Sequence, residues 1–148
     1  ERRNFTWACR DLSDIATYAK VDNSNYRLLK AYTPGPYTFI LPATREVPRM
    51  LQHPKRKTIG IRVPDHPITQ AILAELGEPL MTTTLLLPDH ELPMNDPEEI
   101  RERLDKQIDL VVDGGIGRLE PSTVIDMAGD VPEVVRVGEG DPTPFMPA

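Results

Sequence analysis

Residues 58–63 read TIGIRV, and the alternation of their side chains predicts a strand that Pro64 ends. One face of this strand would carry three apolar side chains of a core, and the other would carry Thr58, Gly60 and Arg62. Gly60 lowers strand propensity and marks a place where another group approaches the backbone closely. Arg62 offers a fixed, planar donor for a carboxylate or a phosphate. This face is therefore a candidate ligand site, although the solvated side of a half-buried strand is the simpler interpretation.

Helix and strand signals alternate on both sides of this strand. Pro67 favours the first turn of a helix that Gly77 would end. Capping residues and apolar spacing predict further helices at residues 13–19, 25–31 and 48–52 and from Asp96 through Ile108. β-Branched or alternating residues predict further strands at 37–41, 78–88, 110–112, 123–127 and 133–137. Some strand pairs are joined by connections too short for a helix, so the class is α/β or α+β with a mixed sheet.

Residues 78–88, EPLMTTTLLLP, set three threonines into an apolar run. In the predicted strand, Thr82, Thr84 and Leu86 share one face. The two hydroxyls on that face can each donate and accept a hydrogen bond, as a ligand would require. Threonine is also simply a good strand former, so a structural role is the competing interpretation.

Composition and charge limit the classes of function that this chain could have. The 148 residues suit one domain with a single core, and a net charge of −6 argues against a general polyanion binder. Basic residues are nevertheless concentrated between Arg45 and Arg62. One cysteine, Cys9, excludes an internal disulfide, indicates a reducing compartment and favours a cytoplasmic location; we expect its thiol to be buried. No apolar run approaches the 18 residues of a membrane span, and the three histidines show no metal-ligand spacing.

Four stretches, taken together, resemble the YrdC/YciO family of threonylcarbamoyl-AMP synthase-like proteins, and within it the YciO branch. They are residues 33–39, 58–67, 77–80 and 121–126. The resemblance implies an α/β fold, an open twisted mixed sheet with flanking helices around a concave cavity. It also implies that residues 1–148 form a single YrdC-like domain, without the N-terminal segment of the family and its Lys-x-Arg motif.

The resemblance implies an enzyme, a nucleotidyltransferase that makes threonylcarbamoyl-adenylate from L-threonine, bicarbonate and ATP for the t6A modification of tRNA. Magnesium would accompany the ATP. Threonine would be bound by Arg62, Thr82 and Ser122. The nucleotide would be bound by Arg3, Asn4, Thr58, Thr84 and Arg136. No catalytic residue and no metal ligand is assigned.

One departure from the family pattern concerns the substrate. Active members read Ser-x-Asn where this chain has Thr84-Leu85-Leu86, so Leu86 implies a weak activity or an altered ligand. An alternative function is a non-catalytic module that binds double-stranded RNA through the basic residues between Arg45 and Arg62. A third is a regulatory or scaffolding role for the fold.

Overall fold

Backbone hydrogen bonds join six strands into one mixed sheet within residues 5–147, the part of the chain that the computed structural model describes. In chain order the strands are β1 (Thr6–Ala8), β2 (Tyr37–Pro42), β3 (Thr58–Arg62), β4 (Leu80–Thr82), β5 (Thr123–Asp126) and β6 (Glu133–Arg136). Their spatial order is β4-β1-β3-β2-β5-β6. The β1–β3 and β2–β5 pairs are parallel, and the other three pairs are antiparallel. The predicted α/β class with an open mixed sheet is confirmed.

The chain divides into two compact units, of which the first contains the whole sheet and the second is Thr84–Pro121. The first unit also contains the helices α1 (Leu12–Tyr18), α2 (Asn23–Tyr32) and α3 (Pro67–Leu76) and the 3₁₀ turns Arg49–Leu51 and Thr143–Phe145. The second contains α4 (Pro97–Leu104). Whether residues 1–148 act as one domain remains a prediction.

The core lies against one face of the sheet. Ile61 of β3 is paired with Trp7 of β1 and Phe39 of β2, and Phe39 is in turn paired with Ile125 of β5. Paired residues of neighbouring strands share a face, so these apolar side chains form one layer. Ile15 of α1 and Leu29 of α2 belong to the same buried cluster. The strand residues between these therefore point to the opposite face of the sheet, away from the core.

The predicted strand at residues 78–88 is wrong in length, because β4 ends at Thr82. Among the described residues, β4 pairs only over the three residues of β1. β-Propensity reflects packing against neighbouring strands, and it does not extend a strand that lacks a partner. Thr84 and Leu86 therefore do not continue a strand face from Thr82.

Two other predictions are wrong, and one element was missed. No strand forms at residues 110–112 within the described part of the chain, and Leu110 is 78% exposed. The helix from Asp96 ends at Leu104 and does not reach Ile108. The three-residue β1 was not predicted, since so short a segment has no detectable periodicity. No helix in residues 5–147 is long and apolar enough to cross a membrane.

Candidate functional site

A row of polar side chains crosses the sheet on the face opposite the core. It visits the strands in their spatial order, and we call it the polar row: Thr82, Thr6, Arg62, Thr38, Ser122 and Arg136. The pairing of the strands explains why the row is continuous. β2 and β3 are antiparallel and Phe39 is paired with Ile61, so Thr38, one residue earlier, lies beside Arg62, one residue later. Ser122 immediately precedes β5. The sheet thus assembles residues that are far apart in the chain.

Three residues form the first half of the polar row. The Thr82 hydroxyl donates to the Thr6 carbonyl at 3.0 Å and lies 2.9 Å from the Thr6 hydroxyl. Arg62 Nη2 donates to the same Thr82 oxygen at 3.3 Å. A hydroxyl has one proton and two lone pairs, so these contacts use the whole capacity of Thr82. In this arrangement Thr82 fixes the direction of the Arg62 guanidinium.

The second half of the polar row is built around Ser122. Its hydroxyl lies 2.7 Å from that of Thr38. Arg136 donates from Nη2 and Nε to the Ser122 carbonyl at 2.8 and 3.2 Å, and from Nη2 to the Ser122 hydroxyl at 3.4 Å. The two predicted residues Ser122 and Arg136 are therefore in direct contact, with Thr38 beneath them.

Arg62 dominates the electrostatics of this face. The guanidinium is half-buried, and burial lowers its pKa from the ordinary value. An arginine remains charged under such conditions. Among the residues that the structure describes, Arg62 forms no ion pair, in contrast to Arg10 with Asp11 and Arg56 with Asp126. The arrangement suits a ligand that brings a carboxylate or a phosphate to the guanidinium.

Asp126 and its strand partner Glu133 are acidic residues on the same sheet face, and Asp126 is already paired with a cation. It lies beside Ile40, whose other neighbour is Gly60, and its carboxylate is 2.8 Å from Arg56 Nη1. Burial acts to raise the pKa of Asp126, but hydrogen bonds from Arg56 and the Ala128 amide, together with the Arg56 charge, hold the pKa below its usual value. The Asp126 charge is thereby balanced locally, and an anion at Arg62 meets less repulsion.

Two other predicted site residues, Thr58 and Thr84, are not members of the polar row. Thr58 begins β3 on the same face as Arg62 but is only 5% exposed, so its nucleotide contact stays a prediction. Thr84 is exposed in the second unit, outside any strand. Arg3 and Asn4 lie outside the described residues.

Cys9 is buried, as expected from the sequence. Burial, with smaller contributions from Asp14 and Asp11, raises the pKa of its thiol to about 12. Because the thiolate is the reactive form of cysteine, this side chain is chemically inert near neutral pH. The site therefore contains no cysteine nucleophile among the described residues.

Two residues of the polar row, Thr6 and Thr38, were not predicted as site residues from the sequence. Thr38 alternates with Tyr37 and Phe39, so strand periodicity already places it opposite the core. Nothing local distinguishes it from an ordinary strand threonine, because its partner Ser122 is 84 residues away. Thr6 was missed together with its short strand.

Comparison with known proteins places this geometry in a family. The model of the Sua5, YciO and YrdC proteins, described as "Telomere recombination", matches residues 1–138. The chain is 57% identical over 143 residues to the uncharacterized protein YciO of Escherichia coli K12, covering 97% of this chain and 69% of that protein. It is 34% identical over 94 residues to the threonylcarbamoyl-AMP synthase of Vibrio vulnificus YJ016, covering 63% of this chain and 50% of the enzyme.

Solved structures agree in fold. The crystal structure of E. coli YciO superimposes with a TM-score of 0.92 at 57% identity, covering 97% of this chain and 69% of that one. P. abyssi Sua5 complexed with L-threonine superimposes with a TM-score of 0.82 at 24% identity, covering 92% of this chain and 40% of that one. The second similarity shows the fold alone. With a family model spanning most of its residues and a close relative in YciO, the chain belongs to the Sua5/YciO/YrdC family.

Proposed function

We propose that this chain binds L-threonine and ATP and forms threonylcarbamoyl-adenylate, with bicarbonate as the third substrate. The observation that carries the proposal is Arg62, a half-buried cation without an ion pair among the described residues. Similarity to a threonylcarbamoyl-AMP synthase supports the reaction class, and the polar row supports an anionic ligand.

Arg62 would hold the carboxylate of the amino acid. A partly desolvated charge is costly until an opposite charge pairs with it, and the planar guanidinium can meet a carboxylate with two parallel hydrogen bonds. The contact from Arg62 to Thr82 fixes the guanidinium before the ligand arrives. Such a prearranged donor reduces the entropy lost on binding.

Ser122 and Arg136 would contact an adjoining oxygen of threonine or of the nucleotide. Threonine nitrogen and bicarbonate combine with loss of water to give a carbamate, whose oxygen attacks the α-phosphorus of ATP. A new P–O bond forms as the bond to the β-phosphate oxygen breaks, and pyrophosphate leaves. In this scheme the residues of the polar row hold and orient the reactants, which accounts for much of the rate in reactions of this kind.

Magnesium fits this site as a companion of the nucleotide. No group of three acidic, histidine or cysteine side chains suited to a metal ion occurs within residues 5–147. Asp126, a carboxylate on this face, is engaged by Arg56. A magnesium ion would therefore be held chiefly by the ATP phosphates and water, and it would neutralise part of the triphosphate charge.

The double-stranded RNA alternative gains no support from the comparisons. Arg56, one of the cations in the basic segment, is bound to Asp126, so its charge is partly neutralised. RNA binding through that segment stays a prediction.

The test is pyrophosphate release by the purified chain with ATP, in the presence and absence of L-threonine and bicarbonate. We expect release only with all three substrates. Arg62→Met should reduce kcat/KM by about 100-fold, because a charge-assisted pair to the substrate is lost. Arg27→Met, which changes an exposed arginine of α2, is the matched control and should match the wild type.

Folded wild-type protein that releases no pyrophosphate above background would refute the proposed reaction. Release that does not depend on L-threonine would refute the proposed substrate. Loss of activity in both arginine variants would show that the effect of Arg62→Met is not specific to the site.

A further inference from the structure

We propose that Thr38 is a positioning residue. It donates a hydrogen bond to the Ser122 hydroxyl, so that this hydroxyl can only donate its own proton, to an anionic oxygen of the ligand. Neither the family similarity nor the sequence patterns assign Thr38 a role. The direction of the hydrogen bond follows from the fold itself. The assignment of the ligand oxygen rests on the proposed function.

The two hydroxyls form one short contact in different environments. Thr38 Oγ1 and Ser122 Oγ are 2.7 Å apart, a typical distance for a well-formed hydrogen bond between hydroxyls. Thr38 is 6% exposed, whereas Ser122 is half-buried. Thr38 therefore has little access to solvent, and Ser122 is the member of the pair that a ligand can reach more easily.

The surrounding groups decide which hydroxyl donates. Arginine has no acceptor, so Arg136 Nη2 can only donate to Ser122 Oγ. If Thr38 also donates to Ser122, both lone pairs of that oxygen are used. The opposite direction would leave the Thr38 proton buried without an acceptor among the described residues, which is costly. Thr38 is therefore the donor of the pair.

This direction determines what Ser122 offers. With both lone pairs occupied, its hydroxyl has one proton to give and no lone pair to receive. It can bond a carboxylate or phosphoryl oxygen, and it cannot accept from an ammonium group. Donation from Thr38 also polarises the Ser122 hydroxyl and strengthens its own donation. Arg62 stands beside Thr38 on the neighbouring strand, so a positive charge lies next to this donor.

The hydrogen-bond direction is tested without a ligand, by thermal unfolding of Ser122→Ala, Thr38→Val and the double variant. Ser122→Ala should lower Tm by roughly 3–8 °C, because the buried Thr38 proton loses its acceptor. Thr38→Val alone should change Tm little. Adding Thr38→Val to Ser122→Ala should restore at least half of the loss, because it removes the stranded proton.

Two results would overturn the assignment. Additive losses in the double variant would show that Thr38 does not depend on Ser122 as its acceptor. A rise in Tm with Thr38→Val alone would show that the Thr38 proton is already stranded in the wild type, and hence that Ser122 is the donor.

The ligand oxygen is identified by calorimetric titration with L-threonine and, separately, with AMP. Thr38→Val should weaken binding of the ligand that Ser122 contacts by about 3- to 10-fold, and Thr38→Ser should restore it. In the Ser122→Ala background, Thr38→Val should have no further effect on affinity. Weaker binding of L-threonine assigns the oxygen to its carboxylate, and weaker binding of AMP assigns it to the phosphate.

Failure of the proposal differs from failure of the proposed function. If the wild type binds both ligands but Thr38→Val leaves both affinities unchanged, Thr38 does not act through Ser122 on the ligand. If the wild type binds neither, the proposed function fails, while the unfolding experiment still decides the direction of the hydrogen bond. Thr17→Val, on the exposed side of α1, controls for the threonine-to-valine exchange and should leave affinity unchanged.

Discussion

At the scale of one residue, Gly60 shapes the sheet face where we propose that a ligand binds. The sequence predicts a close approach to its backbone, and the structure shows how little room a side chain would have. A methyl group there would lie 3.3 Å from Thr6 Cγ2 and 3.4 Å from Thr38 Cγ2. Those contacts are tight but do not involve backbone atoms, so small shifts can accommodate them. The methyl would rise between two members of the polar row.

Gly60→Ala should therefore separate binding from stability. We expect the free energy of unfolding in urea to change by less than about 1 kcal/mol, because alanine restricts the unfolded chain while the tight contacts cost a similar amount. Calorimetric affinity for L-threonine should fall at least about tenfold, since the methyl occupies the approach to the polar row. Gly129→Ala, where an added Cβ meets nothing within 4 Å, is the control. Unchanged affinity in Gly60→Ala would show that the ligand does not approach this position.

Helix α3 shows at the scale of an element why some boundaries are predictable. His66 caps its start by accepting the Thr69 amide at 3.4 Å, and proline occupies the first turn. Gly77 ends it in a left-handed conformation with φ of 71°, where its N–H reaches the Leu73 carbonyl at 3.0 Å. The proline and the glycine are local signals that predicted both ends of the helix from the sequence, whereas the His66 cap was not predicted. Strand ends depend on distant partners, so the same reasoning failed for residues 78–88.

Gly77→Ala should lower the free energy of unfolding by about 1 kcal/mol, because a Cβ is unfavourable at this φ. Nothing lies within 4 Å of the added methyl, so the cost is conformational and not steric packing. Gly77→Asn should cost less, since asparagine tolerates the left-handed region better than alanine does. Urea denaturation of the three proteins measures both differences. Equal stability of the wild type and the alanine variant would contradict the role of Gly77 as a helix cap.

The Arg56–Asp126 pair connects distant parts of the chain at the scale of the whole molecule. It joins the segment before β3 to the end of β5 through a contact of 2.8 Å. The pKa of Asp126 is lower in the folded protein than its usual value. Such a group stabilises the fold above its unfolded pKa of about 4, and this stabilisation is lost as the pH falls through the folded pKa.

Arg56→Met should lower the free energy of unfolding by about 1 kcal/mol at pH 7, a value reduced because the Arg56 side chain is 45% exposed. The difference from the wild type should shrink as the pH falls below about 4, because protonated Asp126 no longer needs the cation. Urea denaturation at neutral and acidic pH measures it. The control, Arg10→Met, removes a longer, more exposed pair of 3.7 Å and should cost only a few tenths of a kcal/mol. A difference that does not vary with pH would show that Asp126 is not the group responsible.

The sequence by itself determined a mixed sheet of the α/β or α+β class, the buried face of β3 and the ends of α3, and it singled out Gly60 and Arg62 as candidate site residues. Each of these follows from side-chain alternation, helix capping or glycine conformation within about ten neighbouring residues, so it can be predicted from the local sequence. The family resemblance added Ser122 and Arg136 and gave a ligand to Thr82, which strand alternation had already singled out; the ligand contacts of all three remain predictions.

Only the tertiary structure decided which side chains meet. The Thr6 and Thr82 hydroxyls are 76 residues apart in the chain, and those of Thr38 and Ser122 are 84 apart, yet each pair is in hydrogen-bond contact. The structure also ended β4 at Thr82 and paired Arg56 with Asp126. The sequence does not show whether a threonine in a strand only favours that strand or also binds another side chain. That depends on which strand lies beside it, and the order of strands in the sheet sets that neighbour.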